Sequence, residues 1–386
     1  MDTLETIKKL RKRFHTLPEL AGNEYQTAHE IKDFLKMLKP DSLYSNIAGT
    51  GIIAMFDTKK EGPHIIFRAE LDGLPIKEEN QVEYASKNKG CSHSCGHDGH
   101  LAIVLGLAQY FSQHKELFCG KIILLFQPAE ETAQGAEAII QTKILDTFKP
   151  TCIFGFHNLP GYPIGQIIVK KGLFTSASQG LILHMYGKTS HAGHPGQGRN
   201  PMHATIEILQ SLENLSHAYN QKRKDTFLTI IHVKLGERAF GTSPGHAVVM
   251  ATYRSTNHKL LEKMTKESLE RIEHITKKHN LRWTYEWVEL FPEIRNNPTY
   301  VDIIECAAKE LQLNIHNIDK PFTWSEDFSY YLNSYPGAFF CIGAGVEQKP
   351  LHSPLYDFPD ALLPIGISMY TQLIHETIRK YTEAVK

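Results

Sequence analysis

Residues 91–100 read CSHSCGHDGH and hold two cysteines, three histidines and an aspartate. Cys95 and His97 lie just before an apolar helical pattern, and the glycine between them loosens the backbone, so one loop can direct both side chains at the same point. Thiolate and imidazole favour a borderline-soft divalent ion such as zinc, and manganese, nickel or cobalt also accept these ligand types. Asp98 is expected to cap the helix. The stretch predicts a metal-binding loop, although a reduced cysteine beside surface histidines would give the same local pattern.

A second candidate segment is FQPAEETAQGA, which begins at residue 126. The preceding apolar run predicts a strand that ends at Pro128 and brings Glu130 and Glu131 to its end, where open α/β sheets bind their ligands. Adjacent carboxylates are common at solvated helix starts. A metal ligand beside a proton-accepting base would require the same adjacency.

Two single histidines extend the candidate set. His157 in FGFHNLP and His352 in LHSP are each interpreted as lying at the end of an apolar strand. Either one alone is typical of a hydrogen-bonded structural histidine. Together with Cys95, His97 and Glu131, however, they exceed the four ligands of a closed structural tetrahedron and suffice for two bridged metal ions. The set therefore favours a binuclear hydrolytic site.

The elements that must position these residues follow an α/β pattern. In the first part of the chain, short β-branched runs alternate with helical segments, which is typical of a mostly parallel sheet with helices on both faces. The order then becomes strand, helix, strand, strand, helix, strand, as in ferredoxin-like α+β units. We expect a catalytic metal-binding domain over 1–174 and 290–386, with an inserted lid domain over 175–289.

The composition narrows the class of partner. The 42 basic residues balance the 42 acidic ones, so no overall field draws the chain to nucleic acid or to an anionic membrane. Six cysteines spread over 386 residues predict free thiols in a reducing compartment. Apolar runs fall far short of the roughly 20 residues that cross a bilayer, and the N-terminus lacks the apolar core of a secretory signal. We expect a soluble cytoplasmic protein that acts on a small molecule.

Several motifs, in their order along nearly the whole chain, resemble those of the M20 metallopeptidases. The resemblance is to the amidohydrolase branch, which includes hippurate hydrolases, auxin-amino-acid conjugate hydrolases and N-acyl-amino-acid deacetylases. The matching segments are RAELDGLPI, CGHDGH, FQPAEE, GFHNLP, SHAGHP, SEDFSYY and LHSPLYDF. The sequence departs from the family pattern at Glu70, where the family form has Asp, and at Thr132, Ala133 and Gln134, where glycines are common.

The resemblance implies a phosphorylase/hydrolase-like, Zn-peptidase-type catalytic domain with two divalent metal ions, zinc or manganese before nickel or cobalt. It also implies a lid domain that mediates homodimer formation. Cys95 would bridge the metals, with His97, Glu131, His157 and His352 as further ligands. Because these five positions suffice, four neighbouring histidines are left outside the metal set: His93, His100, His194 and His203.

The same resemblance assigns four other roles. Glu130 would be the general base, taking a proton from the attacking water and passing it to the leaving nitrogen. Asp72 would orient a ligating histidine. His191 would reach the substrate oxyanion, in some members from a dimer partner, and Arg254 would bind the substrate carboxylate through its planar fork.

The leading hypothesis is a metal-dependent amidohydrolase that cleaves N-acyl amino acids or similar conjugates. An M20 dipeptidase or aminopeptidase would use the same metals and differ only in its pocket. A non-catalytic metal-binding protein with the same fold is a third interpretation, which Glu130 disfavours because no ligand role explains it. A thiol amidase with Cys95 as nucleophile and His97 as base is also disfavoured, since one tight turn places the pair poorly for proton transfer.

Overall fold

The computed structural model describes residues 3–223 and 225–385, which divide into two compact units. Each unit is assembled from separate stretches, namely Met1–Phe174, Ile294–Lys320 and Asp327–Lys386 for the first, and Thr175–Glu293 and Pro321–Glu326 for the second. The second unit therefore includes a short segment that lies beyond the 175–289 interval of the sequence-based division.

The helices are α1 (Thr3–Thr16), α2 (Tyr25–Met37), α3 (His97–Gln113), α4 (Gly135–Gln141), α5 (Met202–Arg223), α6 (His258–Lys278), α7 (Pro298–Glu310), α8 (Ser329–Ser334) and α9 (Leu362–Val385). Helix α3 is apolar on all sides and is buried over most of its length, because it packs against α1, α9 and strand residues of the first unit. None of the helices within the described residues has both the length and the hydrophobicity that crossing a membrane requires.

The strands are β1 (Ser42–Ile47), β2 (Gly51–Asp57), β3 (His64–Glu70), β4 (Lys121–Gln127), β5 (Cys152–Leu159), β6 (Ile167–Val169), β7 (Gly172–Leu173), β8 (Ala177–Tyr186), β9 (Ser190–His191), β10 (Thr226–Leu235), β11 (Thr242–Ser243), β12 (His246–Ser255), β13 (Arg282–Phe291), β14 (Arg295–Asn296), β15 (Ile315–Asn317) and β16 (Gly337–Gly343). In the first unit they form a sheet of order β1-β2-β4-β3-β5-β16-β6-β15. The central strands β4, β3, β5 and β16 run parallel. Their near-continuous apolar sequences suit strands that are covered on both faces, and the predicted mostly parallel sheet is confirmed.

The parallel strands bring several candidate residues to one edge of the sheet. Strand β3 ends at Glu70, two residues before Asp72, and β4 ends at Gln127, three residues before Glu130. His157 lies near the end of β5, the neighbour of β3 on its other side. Because the carboxyl ends of parallel strands share an edge, residues far apart in the sequence meet there.

The second unit is a four-stranded antiparallel sheet of order β10-β12-β8-β13 with helices α5 and α6 packed against it. Along β8, Leu181, Leu183 and Met185 are buried, while the alternate side chains are half-buried. This alternation fits a sheet with only one face on the core. The sequence order β8, α5, β10, β12, α6, β13 is the expected ferredoxin-like arrangement.

Candidate metal centre

The loop that carries Cys95 and His97 makes a sharp turn at Gly96, where φ is 92°. This left-handed conformation favours glycine, and a Cβ at the position would also overlap the side chain of Asn158. After this turn, α3 begins at His97. The thiol Sγ of Cys95 lies 3.3 Å from Nε2 of His157, at the end of β5.

The five proposed ligands form two groups of three that share Cys95. One group is Cys95, His97 and His157, and the other is Cys95, Glu131 and His352. Within each group, one ligand atom from every residue lies within 4.8 Å of the others. Cys95 is the residue common to both groups, so its thiolate is a candidate ligand for an ion held by either one.

Hydrogen bonds fix which ring nitrogen each buried histidine offers. His97 Nδ1 donates to the carbonyl of Asp72 at 2.8 Å, and His157 Nδ1 donates to the carbonyl of Asn158 at 2.7 Å. Since a carbonyl can only accept, Nδ1 carries a proton in both rings, and in the neutral form of each ring Nε2 keeps its lone pair. Among the described residues, the buried Nε2 of His97 has no hydrogen-bond partner, which would be unfavourable without a cation. These residues therefore fit a metal site.

The surroundings of Cys95 bear on its chemical role. Burial raises the pKa of its thiol well above the ordinary value, and the carboxylates of Glu131 and Glu130 raise it further. A thiol in such surroundings stays protonated unless a cation compensates the negative charge of the thiolate. This environment suits a metal ligand and argues against Cys95 as the free nucleophile of a thiol amidase.

Two buried carboxylates hold the backbone on either side of Glu130. Ala129 has a φ of 51°, and its N–H donates to Glu24 Oε1 at 2.9 Å. The N–H of Glu131 donates to Asp72 Oδ2 at 3.0 Å. The loop after β4 is therefore fixed from both sides, in a conformation that would otherwise be unfavourable for alanine.

The two adjacent glutamates both border the same ring nitrogen. Oε2 of Glu130 and Oε1 of Glu131 each lie 3.9 Å from Nε2 of His97. The Glu130 side chain is almost completely buried. One carboxylate can therefore bind a metal while its neighbour faces the same small space, which is the adjacency that a ligand and a base would need.

His352 lies in a turn, and its position corrects the sequence interpretation. Strand β16 ends at Gly343, so His352 does not lie at the end of a strand. Its backbone is left-handed, with a φ of 64°, and its N–H donates to the carbonyl of Ser94 at 2.9 Å. This bond ties its loop to the segment that carries Cys95.

Asp98 does not cap α3, so that prediction is wrong. The N-cap residue is Gly96, and Asp98 lies in the first turn without a capping bond. Its buried carboxylate instead accepts hydrogen bonds from His15 and Arg11 of α1, at 2.8 and 3.3 Å. A charged side chain from another part of the chain thus outweighs the local capping preference.

His100 lies near the site, but both of its ring nitrogens are engaged. Nδ1 donates to Glu70 Oε2 at 2.7 Å, and Nε2 accepts the N–H of Asn158 at 3.3 Å. Glu70 also pairs with Arg68. Burial raises the pKa of Glu70, but the Arg68 guanidinium and the hydrogen bond from His100 hold it well below the ordinary value. Glu70, His97 and His100 are close enough to hold a metal, yet these bonds already occupy His100.

Sequence reasoning missed several buried charged residues around the site. They are Arg11, His15 and Glu24 near the N-terminus and Arg68 on β3, which donates to Gln127 and Asp327. The local sequence around Arg11, His15 and Glu24 predicts only an amphipathic helix or a polar loop. Nothing local distinguishes a charge that will be buried from one on a solvated face.

His191 and Arg254 belong to the second unit. His191 Nδ1 accepts the N–H of Gly193 at 3.0 Å, so in the neutral ring Nε2 carries the proton, on an exposed side chain. Arg254 donates to the carbonyl of Thr323 and to Ser325 Oγ, at 3.3 and 3.2 Å, and burial lowers the pKa of its guanidinium. Each therefore presents a hydrogen-bond donor.

Comparison with known proteins finds relatives along nearly the whole chain. Residues 66–376 match the model of peptidase family M20/M25/M40. An N-acetyl-L-cysteine deacetylase of Bacillus subtilis is 31% identical, over 93% of this chain and 86% of its own length. The IAA-amino acid hydrolase ILR1-like 5 of Arabidopsis thaliana is 30% identical, over 96% of this chain and 86% of its own. A solved structure, the YXEP protein of Bacillus subtilis, described as a dinuclear metal binding peptidase from the M20 family, aligns with a TM-score of 0.79 and 25% identity, covering 98% of this chain and 99% of its own.

Proposed function

The chain belongs to peptidase family M20/M25/M40 and is a metal-dependent amidohydrolase of that family, and we propose that it removes the acyl group from N-acyl amino acids or related conjugates. The family resemblance drawn from the sequence motifs is thereby confirmed. The observation that carries the proposal is the pair of ligand groups sharing Cys95, with Glu130 beside them. Five ligands and an additional carboxylate exceed what a structural metal site needs.

The proposed mechanism assigns the proton transfers to Glu130. Divalent ions held by Cys95, His97, Glu131, His157 and His352 would acidify water and polarise the substrate carbonyl, which is the chemistry such ions supply in hydrolases. The Glu130 carboxylate accepts a proton from the attacking water and then delivers it to the leaving nitrogen. Its backbone, held on both sides by buried carboxylates, keeps it in position for both transfers.

The second unit supplies the proposed substrate contacts. The N–H at Nε2 of His191 donates to the carbonyl oxygen as negative charge develops there. Arg254 binds the substrate carboxylate, because its guanidinium already donates to neutral oxygens of Thr323 and Ser325 and can add a charge-assisted pair. Because both proposed contacts come from the second unit, we assign that unit the role of a substrate-binding lid.

Zinc and manganese are the proposed ions, since thiolate and imidazole ligands favour zinc and the carboxylate also suits manganese.

We also propose a homodimer formed through the second unit. Its edge strand β10 carries the exposed apolar residues Ile231 and Val233, 60% and 42% exposed, and an exposed strand edge can pair with a second copy. All six cysteines are free thiols, which supports the expected cytoplasmic location.

The test of the mechanism is Glu130→Gln, which removes the proton-accepting charge but keeps the shape of the side chain. The substrates are N-acetyl, hippuryl and indole-acetyl amino acids, assayed with added zinc or manganese beside unacylated dipeptides. If Glu130 is the general base, we expect kcat to fall by at least about 10²–10⁴-fold, the contribution that such a residue typically makes. Metal content, measured by elemental analysis, should stay at the wild-type value.

The matched control is Glu137→Gln, the same substitution at an exposed position on α4, which should leave kcat unchanged. A Glu130→Gln protein with near-normal turnover would refute the general-base role. Loss of metal from that variant would instead make Glu130 a ligand. Cleavage of dipeptides without cleavage of acylated amino acids would favour a peptidase.

A further inference from the structure

We propose that Arg11 of α1 is a positioning residue that fixes the two ligand-bearing segments, Cys95–His97 and the loop of His352, relative to each other. The proposal rests on the proposed metal site and concerns how its second ion is held. Arg11 lies outside residues 66–376, the stretch that matches the family model.

Arg11 reaches both segments from a buried position. Its side chain is 1% exposed, and its Nη1 donates to Asp98 Oδ2 at 3.3 Å and to Asp357 Oδ1 at 2.7 Å. Its Nε donates to Asp360 Oδ1 at 2.9 Å. Asp98 directly follows a proposed ligand at the start of α3, while Asp357 and Asp360 lie on the segment that leads from the loop of His352 to α9. One guanidinium thus connects both parts of the site.

Neighbouring side chains complete this arrangement. His15, also on α1, donates to Asp98 at 2.8 Å through Nδ1 and contacts Glu78 at 3.0 Å through Nε2. Burial lowers the pKa of His15, but the two carboxylates outweigh this and raise it to about 10. The hydroxyl of Tyr84 donates to Asp357 Oδ2 at 2.7 Å, and the Arg11 guanidinium lies 4.7 Å above the Tyr84 ring. The planar fork of arginine is therefore held in one orientation.

The charges explain why Arg11 matters for geometry. Without it, Asp98 would keep its bond from His15 and Asp357 its bond from Tyr84, but the two carboxylates would lose the guanidinium that pairs with both of them. Removing one partner from a buried ion network is strongly unfavourable. The two like-charged carboxylates would then favour a larger separation of their segments or the entry of water between them. A metal site tolerates displacements of about 0.5 Å, so even a small movement would disturb it.

Replacing Arg11 should lower the metal affinity of one ligand group more than that of the other. One group contains Cys95, on the segment that Arg11 reaches through Asp98, and His352, whose loop leads to Asp357 and Asp360. The third member of that group is Glu131. The group of Cys95, His97 and His157 does not include the loop of His352, so it should be disturbed less. Loss of Arg11 should therefore weaken the second equivalent of metal more than the first.

The test is a cobalt titration of the metal-free wild-type and Arg11→Met proteins. Absorption from thiolate-to-cobalt charge transfer reports on Cys95, and the ligand-field bands report on each ion. We expect the second equivalent to bind about 10–100-fold more weakly in Arg11→Met, the usual effect of removing a residue that supports metal ligands. The first equivalent should change much less. The control is Arg13→Met on the same helix, where the exposed side chain pairs with Glu30 at 2.8 Å, and it should match the wild type.

A second variant keeps the test decisive if Arg11→Met does not fold. Asp357→Asn is nearly isosteric at a partly exposed carboxylate, and it should weaken the second equivalent in the same direction. A folded variant of either kind that binds both equivalents with wild-type affinity would overturn the proposal. Failure of the proposed function itself would show first in the wild type, as binding of fewer than two ions.

Discussion

At the scale of single residues, Asp72 contributes to the site through two different atoms. Its backbone carbonyl accepts the Nδ1–H of His97, and its carboxylate accepts the N–H of Glu131. The carboxylate oxygen Oδ1 lies 3.5 Å from His97 Nδ1. The orienting role predicted for Asp72 would thus be divided, with the backbone holding the imidazole and the side chain holding the loop of the paired glutamates.

This division leads to a prediction for the Asp72 carboxylate. Asp72→Ala should lower metal affinity by about 10–100-fold, since supporting residues of metal ligands typically have effects of this size. Asp72→Asn should recover most of the loss, because its amide oxygen can still accept the N–H of Glu131. Equilibrium dialysis with zinc measures both. If Asp72→Asn bound zinc as weakly as Asp72→Ala, the negative charge of Asp72, and not its hydrogen bond to Glu131, would be what supports metal binding.

At the scale of elements, the turn into α3 depends on one glycine. Gly96 combines a left-handed backbone with close contact to Asn158, whose Nδ2 donates to the carbonyl of Cys95 at 3.2 Å and contacts Tyr356 Oη at 2.7 Å. A side chain at position 96 would therefore disturb a bonded amide as well as the backbone. Both effects would displace Cys95.

We predict that Gly96→Ala costs more stability than Gly90→Ala. Both glycines have a positive φ, 92° and 79°, so each substitution carries the left-handed backbone penalty of about 1–2 kcal/mol. Only at Gly96 does the new Cβ also overlap a neighbour, since at Gly90 no atom lies within 4 Å. Urea unfolding of the metal-free proteins would measure the difference. If both variants lost the same free energy of unfolding, the Asn158 side chain would be able to move away from the new Cβ without a loss of stability.

At the scale of the whole molecule, the proposed homodimer depends on the edge of the second unit's sheet. Strand β10 is the outermost strand there, and Ile231 and Val233 project from it with substantial exposure. Apolar side chains on an exposed edge favour pairing with another strand. An isologous contact between two β10 strands would close after two copies, as cyclic dimers require.

We predict that the wild type sediments as a dimer at micromolar concentration and that Ile231→Lys sediments as a monomer. A charged lysine on an edge strand disfavours edge-to-edge pairing, and a two-fold dimer would carry it on both copies. Met37→Lys is the control, because it introduces the same charge at a 70% exposed apolar position on α2 of the first unit. A wild type that remains monomeric would exclude the proposed dimer.

The sequence by itself determined the fold class and the nature of the chemistry. Apolar runs such as KIILLFQ and the helix after His97 carry their periodicity locally, so the α/β pattern and the ferredoxin-like order were predictable. The family follows from the order of short motifs, which needs no coordinates. The types of the candidate ligands are also local information, since thiol, imidazole and carboxylate groups can bind a metal where the fold brings them together.

Only the tertiary structure decided which side chains surround these residues. Asp98 reads as a helix cap, yet it pairs with Arg11 and His15 from α1, more than 80 positions earlier. Glu24 reads as part of a polar loop, yet it holds the backbone at Ala129. The physical reason is that burial of a charge depends on long-range packing. A carboxylate far away in the sequence leaves no local pattern until the chain folds and removes both groups from water.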